Sequence, residues 1–194
     1  VLVWSSGNTD RVIDQLKVLG IPVYISEPKT LDSIGEALQK IGTLTGAKDA
    51  LKVRQEFDTA LTNLREQYAK KNPVSVFYQV WNSPLQTLSG SHLISDVINL
   101  CGGYNIFSDA PTLAPKVNVE SILRADPQVI VASGMGEGRP QWLDEWLQWP
   151  SLQAVKKQQL YYVPPDLIQR HTPRVLQGAA LLCEQLQLAR EPMD

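Results

Sequence analysis

What the chain lacks narrows its possibilities first. Its 194 residues include two cysteines and two histidines. Neither Cys–Cys nor His–His spacing forms a chelating pair, so no zinc site and no other metal site is expected. Positive charge is not in excess: 18 lysines and arginines face 20 aspartates and glutamates, a net charge of −2. A nucleic-acid surface needs a clustered basic excess, so that class of partner is excluded. No apolar run approaches the roughly 18 to 20 residues that span a bilayer. A Gly-x-Ser-x-Gly nucleophile elbow is missing as well. His92 beside Ser89 and Ser91 is the one neighbouring nucleophile–base set, and adjacency in sequence does not establish hydrogen-bond geometry. No catalytic residue is assigned.

What remains is a globular composition, 43% apolar and 20% charged, long enough for a substantial core. Val1-Leu2-Val3-Trp4 reads as a fully apolar strand with no lead-in, and the expectation is that upstream sequence belongs to the protein. Cys101 and Cys183 have two readings. As free thiols they are small buried hydrophobes. As a pair they would close a loop of over 80 residues, worth about 4 to 5 kcal/mol in the chain-entropy model, and imply an oxidising compartment.

Short β-rich runs at Val1–Trp4, Pro22–Ile25, Val74–Val80, Gln128–Ala132 and Leu160–Val163 alternate with helical patterns. That alternation predicts an α/β fold with parallel sheets. Gly20 is placed to stop a helix over Asp10–Leu19, and Thr30 to cap the next one. From Gly46 to Lys71, Val53, Phe57, Leu61, Leu64 and Tyr68 recur at three- and four-residue steps, and Pro73 ends the run. This predicts one amphipathic helix of about 39 Å. An ordinary surface helix fits the pattern. A rigid strut between two lobes fits it too, and is favoured by the short βαβ piece before it and the longer α/β set after it.

In open parallel sheets ligands bind outside the carboxyl ends of the strands. Those loops hold Trp4-Ser5-Ser6-Gly7-Asn8, Trp81-Asn82-Ser83-Pro84 continuing to Ser89, Ser133-Gly134-Met135-Gly136, and Pro164-Pro165-Asp166 with Arg170. Indoles, small hydroxyls, exposed backbone amides and one acid near one base suit a bulky, mostly uncharged guest with a polar rim. Trp4, Trp81, Ser89, Gly134, Asp166 and Arg170 are the candidate contacts. The plain alternative for Asp166 and Arg170 is a helical ion pair worth a few tenths of a kcal/mol. Trp142, Trp146 and Trp149 fall at helical spacing and read as packing.

Several segments together resemble the cobalamin- and siderophore-binding periplasmic proteins. They are Asn8…Gln15-Leu16…Leu19-Gly20-Ile21-Pro22-Val23, Cys101-Gly102-Gly103-Tyr104-Asn105-Ile106-Phe107, Val117-Asn118-Val119-Glu120-Ser121-Ile122-Leu123, Ala125-Asp126-Pro127-Gln128 and Leu152-Gln153-Ala154-Val155-Lys156. Asp166…Arg170…Pro173-Arg174 and Cys183 are most similar to the cobalamin binders. The resemblance implies two Rossmann-like α/β lobes joined by a long rigid helix, with the N-terminal lobe only partly present. Residues 1–45 would be that remainder, 46–72 the interlobe helix and 73–194 the C-terminal lobe. It implies transport rather than catalysis, by a monomer in the periplasm whose precursor carries a signal peptide. The guest would be cobalamin or a related corrinoid, carried as cargo and not as a cofactor, and handed to the membrane permease of an ABC importer. A siderophore or haem carrier is the alternative in the same class, and an enzyme on the same scaffold the alternative in another.

The resemblance further implies a Cys101–Cys183 disulfide, with Asp166 and Arg170 lining the cleft and Trp4 facing them from the other lobe. Glu120 matches the acidic residue that docks on a transporter arginine; its plain reading is a helix-start acid favoured by the macrodipole. The sequence departs from the family at Ala114, where a tryptophan is usual, and over Trp81–Gly90.

Overall fold

The chain opens with a βαβ unit: β1 (Leu2–Trp4), α1 (Asp10–Val18) and β2 (Tyr24–Ser26). The computed structural model of the chain describes residues 1–4, 8–134 and 138–191. β1 and β2 pair in parallel, Val3 opposite Ile25. Gly20 ends α1 as expected: at φ +69° it turns the chain so that its amide reaches the Lys17 carbonyl and the Ile21 amide reaches Leu16. Those two bonds satisfy carbonyls the helix end would leave open.

α2 (Leu31–Thr45) begins with a reciprocal cap, Thr30 and Ser33 each accepting the other's backbone amide. Gly46, at φ +69°, ends it, and the Ala47 amide folds back to the Gly42 carbonyl. The helix expected from Gly46 to Lys71 therefore starts only after a turn at residues 46–49. Beyond that turn runs α3 (Ala50–Tyr68), 19 residues long and so about 28 Å. α2 and α3 pack as a helical hairpin. The contact is close because α2 presents glycine to it: a methyl on Gly42 would run into the Ala50 Cβ. α3 also buries Phe57, Leu61 and Tyr68 in the large core beside α4 (Leu93–Leu100) and α8 (Val175–Leu188). Leu31 and Ile34 of α2 join the same core, and the Leu31 amide donates to Asp96 of α4 at 2.7 Å.

The second sheet is all parallel, in the order β4 (Gly103–Asn105), β3 (Val74–Gln79), β5 (Val129–Ala132), β6 (Leu160–Tyr162). β3 and β5 are buried along their whole length, as central parallel strands covered on both faces are, and only Ser75 and Gln79 of β3 break their apolar runs. Val74, Val76, Tyr78, Val129 and Val131 face the large core; Phe77, Ile130 and Ala132 face a second one. α5 (Val119–Ala125), a 3-10 helix (Gln141–Gln148) and α6 (Gln153–Lys156) flank that second core, to which Ile122, Leu143, Trp146 and Ala154 contribute. α7 (Pro165–Ile168) comes directly after β6. β4 is a strand the sequence did not announce, because two of the residues around it are glycines and its central Tyr104 is half exposed at the sheet edge.

Cys101 at the end of α4 and Cys183 within α8 form a disulfide with both residues fully buried. Among the described residues no helix is long and apolar enough to cross a membrane.

Candidate functional site

The strand order fixes where a site can form. The chain leaves β3 to one side, through α4 to β4, and returns to the other side at β5. The switch point therefore lies at the carboxyl ends of β3 and β5, where diverging loops leave a crevice. At that edge Gln79 ends β3 and accepts the Trp146 indole N–H at 2.7 Å. Gln169, just past α7, donates to the Ser133 carbonyl past β5. This second bond brings residues 169–171 over the sheet edge.

Across from them stands the carboxyl end of β1. Between the two is a cavity of about 440 Å³. One wall is Leu2, Val3 and Trp4 of β1 with Ser26 and Pro28 after β2; another is the Ile34, Ala37, Leu38 and Ile41 face of α2; the third is Gln169, Arg170 and His171. The lining is mostly aliphatic, with Ser26, Gln169, Arg170 and His171 as its polar side chains. Such a wall suits a guest with a large apolar body and a polar edge.

The structure brings three of the six candidate contacts together. Trp4, 51% exposed, and Arg170 both line the cavity. Asp166 joins through its ion pair to Arg170, 2.7 Å across one helical turn and open to solvent on both sides. The other three stand elsewhere on the same sheet edge. Trp81 is 37% exposed, its indole N–H held by the Ser83 carbonyl at 2.9 Å. Ser89 is fully buried, its hydroxyl 3.2 Å from that of Ser91, in a loop pinned by Ser95 and Asn105. Gly134 is buried against Trp142. Ser5 to Gly7, Met135 and Gly136, named with these loops, lie outside the described residues.

His171 is the residue that sequence reasoning passed over. It lines the cavity beside Arg170, its ring 6.1 Å from Trp4 on one side and 6.1 Å from His92 on the other. The signal was rarity: both histidines of the chain meet here. Burial holds the His171 pKa below the usual imidazole value, against the pull of the Glu27 carboxylate. Burial, then the neighbouring His171, pushes His92 down to about 4. Both rings are therefore neutral near pH 7. His92 does not pair with a serine: its Nδ1 accepts the Ile94 amide and caps α4. That occupies the nitrogen a general base would need. Of the tryptophans read as packing, Trp146 is buried against Phe77 and Trp149. Glu120 sits exposed in the first turn of α5, which Asn118 caps through the Ser121 amide.

A family model described as periplasmic binding protein matches residues 1–167. The vitamin B12-binding protein of Vibrio cholerae is 33% identical over 98% of this chain and 69% of its own length. The crystal structure of the periplasmic vitamin B12 binding protein BtuF of Vibrio cholerae superposes with a TM-score of 0.89 at 33% identity, over 98% of this chain and 74% of that one. The heme-binding protein RhuT of Roseiflexus shares the fold, with a TM-score of 0.83 at 17% identity over 98% of this chain and 76% of that one. The matched family and the vitamin B12-binding relatives are binding proteins and not enzymes, and the alternative of an enzyme on the same scaffold falls with them. The chain belongs to the periplasmic binding protein family.

Proposed function

We propose that this protein captures vitamin B12 or a related corrinoid in the periplasm and delivers it to the membrane permease of an ABC importer. The observation that supports this best is the cavity wall. The Trp4 indole and the Arg170 side chain line one cavity, with Asp166 ion-paired to Arg170, in a chain similar along 98% of its length to vitamin B12-binding relatives. A corrin has a broad apolar ring edged with amides. Trp4 would lie against the ring, and Arg170, oriented by Asp166, would reach the amide carbonyls. Trp81 is a rim contact in this reading, and the buried Ser89 and Gly134 hold the loops that shape the mouth.

The remaining assignments rest on the same reading. Residues 1–45 and 73–194 act as two lobes with 46–72 between them, the protein works as a monomer, and Glu120 presents its carboxylate to a cationic site on the permease. The buried Cys101–Cys183 disulfide fits an oxidising compartment.

Calorimetry and the visible spectrum of cyanocobalamin test the reading. We expect a 1:1 complex at micromolar protein, with haem and ferric chelates binding at least about tenfold more weakly. Failure to bind cyanocobalamin at that concentration, or tighter binding of haem or a ferric chelate, would overturn it.

A further inference from the structure

Gln79 is fully buried at the end of β3. A buried amide is costly unless its polar atoms are paired, and both of these are. Its Oε1 accepts the Trp146 indole N–H at 2.7 Å, and its Nε2 donates to Asn82 Oδ1 at 3.2 Å. Asn82 Nδ2 then donates to the two carboxylate oxygens of Glu145, at 3.3 and 3.2 Å. Chemistry fixes the direction of these bonds from both ends. An indole N–H can only donate, so Gln79 must turn its oxygen to Trp146; an ionised carboxylate can only accept, so Asn82 must turn its nitrogen to Glu145. Neither amide can flip without losing both of its partners. Glu145 and Trp146 are consecutive, so the bonds close a ring from β3 through Asn82 to the 3-10 helix and back. What the ring holds is the segment after β3. The far flank of that segment is tied by main chain, the Val117 amide donating to the Leu85 carbonyl and the Thr87 amide to Pro115. The flank with Trp81 is tied to the 3-10 helix through the Asn82 side chain. Trp81 turns its own N–H to the Ser83 carbonyl, so its place follows that of residues 82 and 83.

We infer that Gln79, Asn82 and Glu145 are positioning residues for the guest site, a one-way relay of hydrogen bonds that holds Trp81 at its rim. The inference rests on the proposed reading of Trp81 as a rim contact and says what keeps that indole ready. Gln79 has no exposed surface and acts on a guest through Asn82 and Trp81. A rim contact held in place before the guest arrives spares the cost of ordering it on binding.

Exchanging amide and carboxylate across the last bond tests this. Asn82→Asp sets two carboxylates against each other and should weaken cyanocobalamin binding about tenfold, with the denaturation midpoint unmoved. Adding Glu145→Gln supplies the missing N–H from the other side and should bring affinity back to within about twofold. Adding Glu145→Ala instead removes the repulsion without supplying a donor, and should not. In protein labelled with fluorotryptophan, the Trp81 fluorine resonance, assigned with Trp81→Phe, should move in Asn82→Asp and return with Glu145→Gln. The inference would be overturned, with corrinoid capture intact, by unchanged affinity in Asn82→Asp or by a loss that leaves the Trp81 resonance in place. A matching fall in the denaturation midpoint, or recovery no fuller with Glu145→Gln than with Glu145→Ala, would overturn it as well. If the unaltered protein binds no cyanocobalamin, the reading beneath falls and the inference with it.

Discussion

A single exposed ion pair decides little about stability, and Asp166–Arg170 is one. Pairs of this kind contribute about 0.3–0.5 kcal/mol on a helix. Arg170→Ala should therefore leave the denaturation midpoint almost unmoved, yet weaken cyanocobalamin binding about tenfold or more, since a hydrogen bond from a charged donor is worth about 1.5–3 kcal/mol. Equal losses in both measurements would mean the arginine is structural. His92 behaves in the opposite way. Its folded pKa of about 4 lies below the 6.5 of free imidazole, so between those values the unfolded chain takes up a proton that the folded one refuses. Its contribution is fully present above pH 6.5, falls as pH drops through the window, and levels off below about 4. At about 1.4 kcal/mol per unit the loss has an upper bound of about 3.5 kcal/mol. Urea titrations at pH 7.5 and 4.5 should show a smaller pH-dependent loss for His92→Gln than for the unaltered protein. Trp4 and Arg170 were legible in the sequence because one ends β1 and the other follows β6 after only the short α7. His171 was not, because its environment comes from β1 and α4, more than seventy residues away in the chain.

Elements were read well where periodicity is strong and poorly where backbone conformation decides. Thr30 and Gly20 announced a helix start and a helix end that the structure contains. The second long helix was set to start four residues early, at Gly46, because the apolar stripe of Val53, Phe57 and Leu61 does not mark where the first turn begins; the left-handed Gly46 instead closes α2. Ser89 was legible as part of a loop near the site, but not as fully buried: its carbonyl accepts from the Ser95 hydroxyl and the neighbouring Leu88 carbonyl from the Asn105 amide, contacts that no local pattern encodes. The α2–α3 hairpin offers a contrast between two glycines. On Gly42 an added methyl runs into the Ala50 Cβ, with the Ala50 Cα at 3.2 Å, whereas on Gly35 it meets the side chains of Asp58 and Arg54 at 2.8 and 2.9 Å. Helix backbones cannot give way as side chains can, so Gly42→Ala should cost about 1–3 kcal/mol and Gly35→Ala less. Thermal denaturation of the two variants, ranked the other way round, would show that the hairpin is loosely packed.

At the scale of the whole molecule the sequence foretold the α/β class and its parallel sheets, since β3, β5 and β6 are separated by helical stretches as such sheets require. Cysteine count alone left the state of Cys101 and Cys183 open; the family resemblance implied a disulfide, and the meeting of α4 with α8 puts their sulfurs in contact. The bridge spans a sequence separation of 82, and a loop of that size is worth about 4.5 kcal/mol in the chain-entropy model. Replacing both cysteines by alanine should lower unfolding free energy by about 2–5 kcal/mol. Thiol titration of the denatured, unreduced protein should detect none.

The ring closed by those sulfurs contains β4, β5, β6 and the segment bearing Asp166, Arg170 and His171. A protease that nicks the mostly exposed stretch between Asp109 and Lys116 would cut the backbone without releasing either piece. The clipped protein should run as one band without reductant and as two with it. Damage in the cell envelope would then leave the carrier in one piece, with the halves of its C-terminal sheet still side by side.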